Sequence, residues 1–290
     1  MAELFGDRGF DNFTVMISVY VYTLLYYFGY IYLPLKIMLI TAPISTMLFA
    51  FVKVLTKNAN LVAYVYIFWA TFFVGVSGVV TIAVLFFALM VVSKVTDRKF
   101  KSKKKESSVR SAWQILANAA VSLLVALVYY LTKDAVCLYV LYAVLAEAFA
   151  DSMASDIGRL SARQPIDILR FKRIETGLSG GVSCLGLASA VLGSTFAVAV
   201  PWIFARFTWK IYLLIVLASF VGVLIDSLLG SGIQALYRCV VCFEKTEKKE
   251  HCNVAAQRIK GLSFINNSAV NFLSNLCTAG IAFLLFWWIL

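Results

Sequence analysis

Charge is scarce in this sequence. Only 14% of its 290 residues are Asp, Glu, Lys or Arg, while 62% are hydrophobic, and the mean hydropathy is +0.87. So apolar a chain cannot hide its surface in one water-soluble core, which excludes a soluble globular class. Period-2 alternation is also missing, which argues against an outer-membrane barrel. The N-terminus lacks the basic opening of a cleavable signal: MAELFGDRGFDNF sets Glu3, Asp7 and Asp11 against Arg8 alone, so the first apolar run is expected to be a retained span. No Gly-Lys-Ser/Thr closes a Walker A loop. No internal repeat with paired broken helices is visible, the pattern that marks many secondary transporters.

What is present is a series of apolar runs of about 20 residues, the length that crosses a bilayer as helix. The expected class is all-α, a polytopic integral membrane bundle of eight spans: Phe13–Leu33, Leu35–Leu55, Leu61–Val92, Ser111–Leu131, Ala135–Ala150, Val182–Phe204, Trp209–Leu229 and Ser263–Leu290. The third is long enough to tilt or to break near Gly75 and Gly78. Residues 1–290 read as one transmembrane domain, with spans one to three and a basic loop in 1–110 and catalytic spans four to eight in 111–290.

The net charge of +11 implies no nucleic-acid partner, because its distribution has a simpler account. Alternating sides puts the connection at Pro34 and the loops Lys94–Arg110, Asp151–Gly181 and Gly230–Gly261 on one face, and these regions hold 20 of the 26 Lys and Arg residues. By the positive-inside rule that face is cytoplasmic and both termini are outside. The loop SKVTDRKFKSKKKESSVR serves topology and anionic-lipid contact, or alternatively attracts a polyanionic substrate.

Ionisable groups in spans are costly, so each needs a reason. Glu147 and Asp151 share a helix face, and Asp156 follows within reach if the helix ends there. Such acids repel one another unless a cation or a proton sits among them, and Mg²⁺ suits an all-oxygen site that bridges to phosphate. The plainer alternative is a solvated helix end. Asp226, in VGVLIDSLLGSG, poses the same choice. Asn267, Asn271 and Asn275 form an amide stripe at i, i+4 and i+8, and Gln114 and Asn118 make a second polar pair. Both could bond neighbouring helices or coordinate a metal or phosphate. The segment RFKRIETGLSGGVSCLG joins Arg170, Lys172 and Arg173 to Gly177, Gly180 and Gly181 before the sixth span, either a plain turn or an anion-binding helix start.

Cys239, Cys242, His251 and Cys252 form a C-x2-C-x8-H-C pattern around the single histidine. It reads as a structural Zn²⁺ site, as free thiols or as a disulfide, the last disfavoured in a reducing compartment. Cys137, Cys184 and Cys277 lie in or near spans and read as packing residues.

SAWQILAN, ADSMASDIG, ETGLSGGVSCLGLAS, IDSLLG and NNSAVN, in that order between Ser111 and Asn275, resemble the integral membrane family named domain of unknown function ninety-two, which includes plant phytyl-phosphate kinase. There is a looser similarity to dolichol and phytol kinases and to CDP-diacylglycerol synthases. The resemblance implies a nucleotide-dependent, Mg²⁺-dependent kinase that turns a prenyl monophosphate into the diphosphate at the cytoplasmic face of a bacterial inner membrane or an organelle membrane, with CTP as donor. It implies site roles for Asp151, Asp156 and Asp226, and with the reading of the basic loop the expected catalytic residues are Asp151, Asp156, Lys172 and Asp226. Glu147, Asp151, Asp156 and Asp226 would hold Mg²⁺. Arg173, Gly177, Gly180, Gly181, Asn267, Asn271, Gln114 and Asn118 would bind substrate and nucleotide. Asp156 stands where the family pattern has Glu, Asn266 where it has Asp, and Ser268 where it has Asn. A cytidylyltransferase making a CDP-lipid, or a transporter with a polar pathway, remains as an alternative.

Overall fold

The computed structural model describes residues 57–99 and 112–289; the first two expected spans and most of the basic loop lie outside them. Contacts divide the chain into two units, Met1–Val79 with Ser107–Leu116, and Val80–Glu106 with Ala117–Leu290.

In the first unit, α1 (Lys57–Val74) carries an aromatic run in which Trp69 stacks on Phe73 with ring centroids 5.3 Å apart. It ends at Gly75, whose φ of +81° is open to glycine at little cost. The single third span expected at Leu61–Val92 is therefore two helices, α1 and α2 (Val76–Lys99), and the break falls at the first of the two candidate glycines. Among the described residues six helices are long and apolar enough to cross a membrane, and α1 adds only the shorter apolar stretch Val65–Val74.

The second unit is built on α3 (Ala112–Thr132, from Ala117), α4 (Ala135–Gly158), α5 (Cys184–Ala205), α6 (Trp209–Gly232) and α7 (Asn267–Ile289), with the later part of α2. The centre is α4, which touches α5, α6 and α7 and buries Val140–Val144 without interruption. No hydrophobic force drives helices together in lipid, so close approach needs small residues. Ala150, Ala154 and Gly158, spaced by four on α4, supply it. A Cβ on Gly193 of α5 would sit 3.1 Å from Ala150 Cα, and one on Gly186 would sit 3.3 Å from the Ala154 carbonyl oxygen.

Caps fix the helix ends. Asp134 accepts from the Val136 N–H at 2.9 Å and Ser183 from the Gly186 N–H at 3.1 Å. The end of the bundle where α3 meets α4 and α5 meets α6 is aromatic. Lys133 Nζ lies 4.2 Å from the Tyr130 ring centroid, Trp209 stacks on Tyr212 at 4.8 Å, and Trp287 and Trp288 are exposed at the end of α7. Tyr and Trp so placed mark a membrane–water interface.

The opposite end carries two long connections whose backbone pairs as short strands, a feature the all-α expectation left out. In the first, β1 (Ile166–Asp167) pairs antiparallel with β2 (Gly181–Val182). In the second, β3 (Leu236–Arg238) lies between β4 (Lys245–Thr246) and β7 (Gln257–Lys260), while β5 (Glu250–His251) and β6 (Val254–Ala255) form a hairpin. The expected fifth span also lengthens: α4 runs past Ala150 to Gly158, so Asp151 and Asp156 are helical.

Candidate functional site

Two helices bring acids together inside the bundle, and a third supplies a hydroxyl to them. Glu147, only 1% exposed, accepts a hydrogen bond from the Ser274 hydroxyl of α7 at 2.8 Å. It lies within electrostatic reach of Asp151, one turn along α4, and of Asp226 on α6. Asp226 is within reach of Asp151 and of the Ser274 hydroxyl. Gly222, one turn before Asp226, permits this approach, since a Cβ there would lie 2.6 Å from Glu147 Cγ and overlap the Thr278 hydroxyl. Glu147 Oε2, Asp226 Oδ2 and Asn275 Oδ1 are buried with no hydrogen-bond partner. Buried oxygens left unpaired are costly, and a set of carboxylate, hydroxyl and amide oxygens is the donor chemistry of a hard cation. The oxygens of Glu147, Asp151 and Asp226 are the donor type that a hard cation such as Mg²⁺ would take.

Asp156 is engaged elsewhere. It accepts from Arg159 Nη2 at 2.5 Å and from the Ser93 hydroxyl of α2, and Arg159 also reaches Asp97 at 3.7 Å. One and a half turns beyond Asp151 is the wrong side of a continuing helix.

The amide stripe divides its work. Asn271 Nδ2 donates to Asn118 Oδ1 of α3 at 3.1 Å, and Asn275 Nδ2 donates to the Asn271 carbonyl at 2.7 Å. Asn267 Oδ1 accepts from the Ser179 hydroxyl at 3.5 Å, tying α7 to the glycine loop. Gln114 belongs to the first unit.

The first connection is anchored by Asp167, only 4% exposed. Its Oδ1 accepts from the N–H groups of Leu169 (3.0 Å) and Arg170 (2.9 Å) and from the Ser231 hydroxyl (2.5 Å), and its Oδ2 from Arg170 Nη1 (3.2 Å). Burial alone would raise its pKa, but these donors, Ser231 foremost, hold it down at about 2. Because the folded value is depressed, Asp167 contributes stability above about pH 4 that is lost as the pH falls toward 2. The melting-temperature gap between wild type and Asp167→Asn is thus expected to be wide at neutral pH and to narrow below pH 4, as thermal melts across pH would show.

The glycines differ in use. Gly177 has a φ of +94° with open space around it, whereas Gly180 (φ +82°) is pressed against the backbone of Ser231. Gly181 packs on Ile174 and Pro165. The Ser179 N–H of this loop donates to Glu247 Oε1 at 2.8 Å, and Gln234 Nε2 to the Ser179 hydroxyl at 2.9 Å.

A cavity of about 410 Å³ opens between the two connections, within the size range of ligand pockets, roughly 300–1,000 Å³. Five cations, Arg170, Lys172, Arg173, Lys245 and Lys260, line it against the carboxylates Asp167 and Glu247. Arg170 pairs with Asp167 at 3.2 Å and Lys245 with Glu175 at 3.2 Å. Lys172, Arg173 and Lys260 form no ion pair among the described residues. Burial first, then the Arg170 guanidinium, pulls the Lys260 ammonium below its ordinary pKa, against a smaller opposing pull from the Asp167 and Glu247 carboxylates. The cavity adjoins the acids: Gly230, in its lining, is one turn from Asp226, and Glu247 is within electrostatic reach of Asp226.

Ser274, Gln234, Lys245, Glu247 and Lys260 escaped the sequence reading. Ser274 could have been found as the i+3 member of the polar stripe that starts at Asn271. The other four lie in the second connection and gain meaning only from its strand pairing.

Cys239, Cys242, His251 and Cys252 come together as their spacing suggested. One ligand atom from each lies within 4.8 Å of the others. The Cys242 N–H, outweighing burial and joined by the Val241 N–H, lowers the Cys239 thiol to about 6, and hydrogen bonding with Cys242 pushes Cys252 up to about 11. No disulfide joins any of the six cysteines.

Residues 40–279 match the family described as Integral membrane protein DUF92. Protein PGR of Arabidopsis thaliana is 34% identical over 140 residues, 44% of this chain and 48% of that protein, so the match spans about half of the plant relative's length. An uncharacterized membrane protein of Methanocaldococcus jannaschii is 27% identical over 194 residues, 66% of this chain and 76% of that protein. No solved structure matches the chain.

Proposed function

The chain belongs to the DUF92 integral membrane family, and from that premise we propose that it is a nucleotide-dependent kinase of a prenyl monophosphate, yielding the diphosphate at the membrane boundary. The observation that carries this reading is a pair of buried, unpartnered carboxylate oxygens, on Glu147 and Asp226, with Asp226 one helical turn before Gly230 in the lining of a cavity that presents five cations against two carboxylates. A prenyl tail stays among the helices in the bilayer while its phosphate reaches the polar end. Lys172, Arg173 and Lys260 face the nucleotide phosphates and offset the charge that builds on the transferred group. Glu147, Asp151 and Asp226 would hold Mg²⁺, which would supply charge neutralisation to the nucleotide phosphates. The attacking oxygen belongs to a phosphate already ionised at neutral pH, so positioning suffices and no base is required. Asn267 and Asn271 brace the loop and α3 around the site. By the distribution of Lys and Arg this end faces the cytoplasm, in a bacterial inner membrane or an organelle membrane. The cavity and its cations, with Asp151 and Asp226, lie toward one end of the helices, and Glu147 extends the site to the middle of α4; this one-sided arrangement favours an enzyme over a transporter.

Purified protein given a prenyl monophosphate with CTP or another nucleoside triphosphate is expected to move the γ-phosphoryl label to lipid. Transfer of an α label would assign a cytidylyltransferase instead, and lipid flux in liposomes without turnover a transporter. Replacing Lys172 and Arg173 together by Ala should raise the KM for nucleotide roughly 10- to 100-fold, the worth of one or two charge-assisted hydrogen bonds, with little change in melting temperature because both are exposed. Steady-state kinetics and a thermal melt on one preparation check both parts.

A further inference from the structure

The second connection folds around a point where nothing in the proposed reaction needs it to fold. Cys239 directly follows β3, and the chain turns so that the Val241 N–H donates to Cys239 Sγ at 3.4 Å and the Cys242 N–H reaches the same sulfur. Phe243 closes the turn, donating its N–H to the Cys239 carbonyl at 3.1 Å with φ at +59°. Two amides aimed at one sulfur stabilise it as a thiolate, the form that ligates metal. On the other side, β5 and β6 pair His251 with Val254 around a two-residue turn of Cys252 (φ +53°) and Asn253 (φ +59°). That left-handed turn carries no glycine, and it directs the Cys252 sulfur and the His251 ring to the same place. His251 Nδ1 lies 3.4 Å from Cys242 Sγ and 3.3 Å from Cys252 Sγ.

These distances have a chemical meaning. Zinc bonds of about 2.3 Å to sulfur and about 2.0–2.1 Å to imidazole nitrogen put the ligand atoms of a tetrahedron roughly 3.5–3.8 Å apart. The four atoms here span 3.3 to 4.8 Å, so shifts of about 1 Å or less complete the tetrahedron. Three soft sulfurs and one imidazole select zinc over the hard cation suited to the acids in the bundle. We infer that Cys239, Cys242, His251 and Cys252 form a structural Zn²⁺ site. All four positions are filled by the protein, which leaves no open site for catalysis. Zinc with three thiolates carries a net charge of −1.

The consequence for the fold is specific. The site ties the end of β3 to the β5–β6 hairpin. β3 in turn holds β4 and β7 in register, and these bring Lys245 and Lys260 to the cavity, with Glu247 just after β4. Zinc therefore secures one wall of the basic cavity, and its binding energy is folding energy for this connection.

Protein purified in detergent without added metal or chelator should contain one zinc per chain by elemental analysis. Exchange with Co²⁺ should give the intense red-region d–d bands and thiolate charge-transfer absorption of a tetrahedral sulfur site. Cys242→Ser with Cys252→Ser should lose the zinc, while Cys137→Ser, Cys184→Ser and Cys277→Ser together should keep it. If the double variant fails to fold, wild-type protein treated with a mercurial should release one zinc per chain to a chromogenic chelator. Wild-type protein that holds no zinc and takes up Co²⁺ without these bands would overturn the inference, as would a folded double variant with undiminished zinc. Neither measurement uses turnover, so the result stands apart from the reaction proposed above.

Discussion

Asp226→Asn is expected to lower turnover at least about 100-fold while the melting temperature stays level or rises. The two halves of this expectation come from one fact. Asn keeps the shape of Asp, removes the charge and turns one acceptor oxygen into an N–H donor that the neighbouring carboxylates can accept from, and the charge is what the fold does not need: Oδ2 is buried without a hydrogen-bond partner, Glu147 and Asp151 lie within electrostatic reach, and no cation among the described residues pairs with it. A carboxylate so placed is a cost to the folded bundle, and neutralising it relieves that cost. A residue retained for stability would behave in the opposite way, so the sign of the melting shift separates the two roles. Glu147→Gln should act alike, since its Oε2 is also unpartnered, although it keeps the Ser274 hydrogen bond on Oε1. Mg²⁺ should raise the melting temperature of the wild type, because a ligand that binds only the folded state stabilises it, and should do little for either variant. Activity unchanged in Asp226→Asn, or a melting temperature that falls in step with activity, would remove the acids from the site.

The helical membrane class is legible in the sequence because bilayer thickness sets the length of each apolar run, and no other solvent imposes it. Finer features depend on contacts that a single sequence does not display. Gly75 and Gly78 look equally able to break the long third run. The break falls at Gly75, which adopts a positive φ, whereas Gly78 continues the helix with its α-hydrogens against Val74. Asp156 reads as part of an acid cluster only while α4 is assumed to stop at Ala150. One further pair of turns carries it to Ser93 and Arg159 instead. The Cys/His cluster is legible because its members fall within fourteen residues and their chemistry is shared. The cavity is not, since Asp167 and Lys260 meet only through strands of two to four residues, too short to show a period. Ser274 was hidden for a different reason: a hydroxyl in a span is ordinary until a buried carboxylate is seen to accept from it.

Gly180→Ala is expected to cost several kcal/mol of stability and to abolish turnover, whereas Gly177→Ala, three residues away, costs only about 1–2 kcal/mol and keeps activity. The two glycines share a left-handed conformation, with φ of +82° and +94°. A side chain at either pays the left-handed penalty of roughly 1–2 kcal/mol. They differ in what surrounds them. A Cβ on Gly177 meets nothing within 4 Å, so the backbone penalty is the whole effect. A Cβ on Gly180 would overlap the N, Cα and Cβ atoms of Ser231, and one on Gly230 would lie 3.0 Å from the Gly180 nitrogen. Both partners are backbone, so neither can rotate away, and overpacking of this kind adds about 1–3 kcal/mol. The only relief is for the loop to lift off the end of α6. That movement breaks the Ser231–Asp167 hydrogen bond and the Arg170 bond to the Ser231 carbonyl at 3.2 Å, and it carries Lys172 and Arg173 away from the helix that presents Asp226. Loss of turnover in Gly180→Ala therefore tests whether the basic loop and the acidic helix must touch for the reaction to occur. Thermal melts and turnover of the two variants side by side decide it: equal losses at both positions would mean that backbone strain alone matters and that the close contact at Ser231 does not couple the two halves of the site.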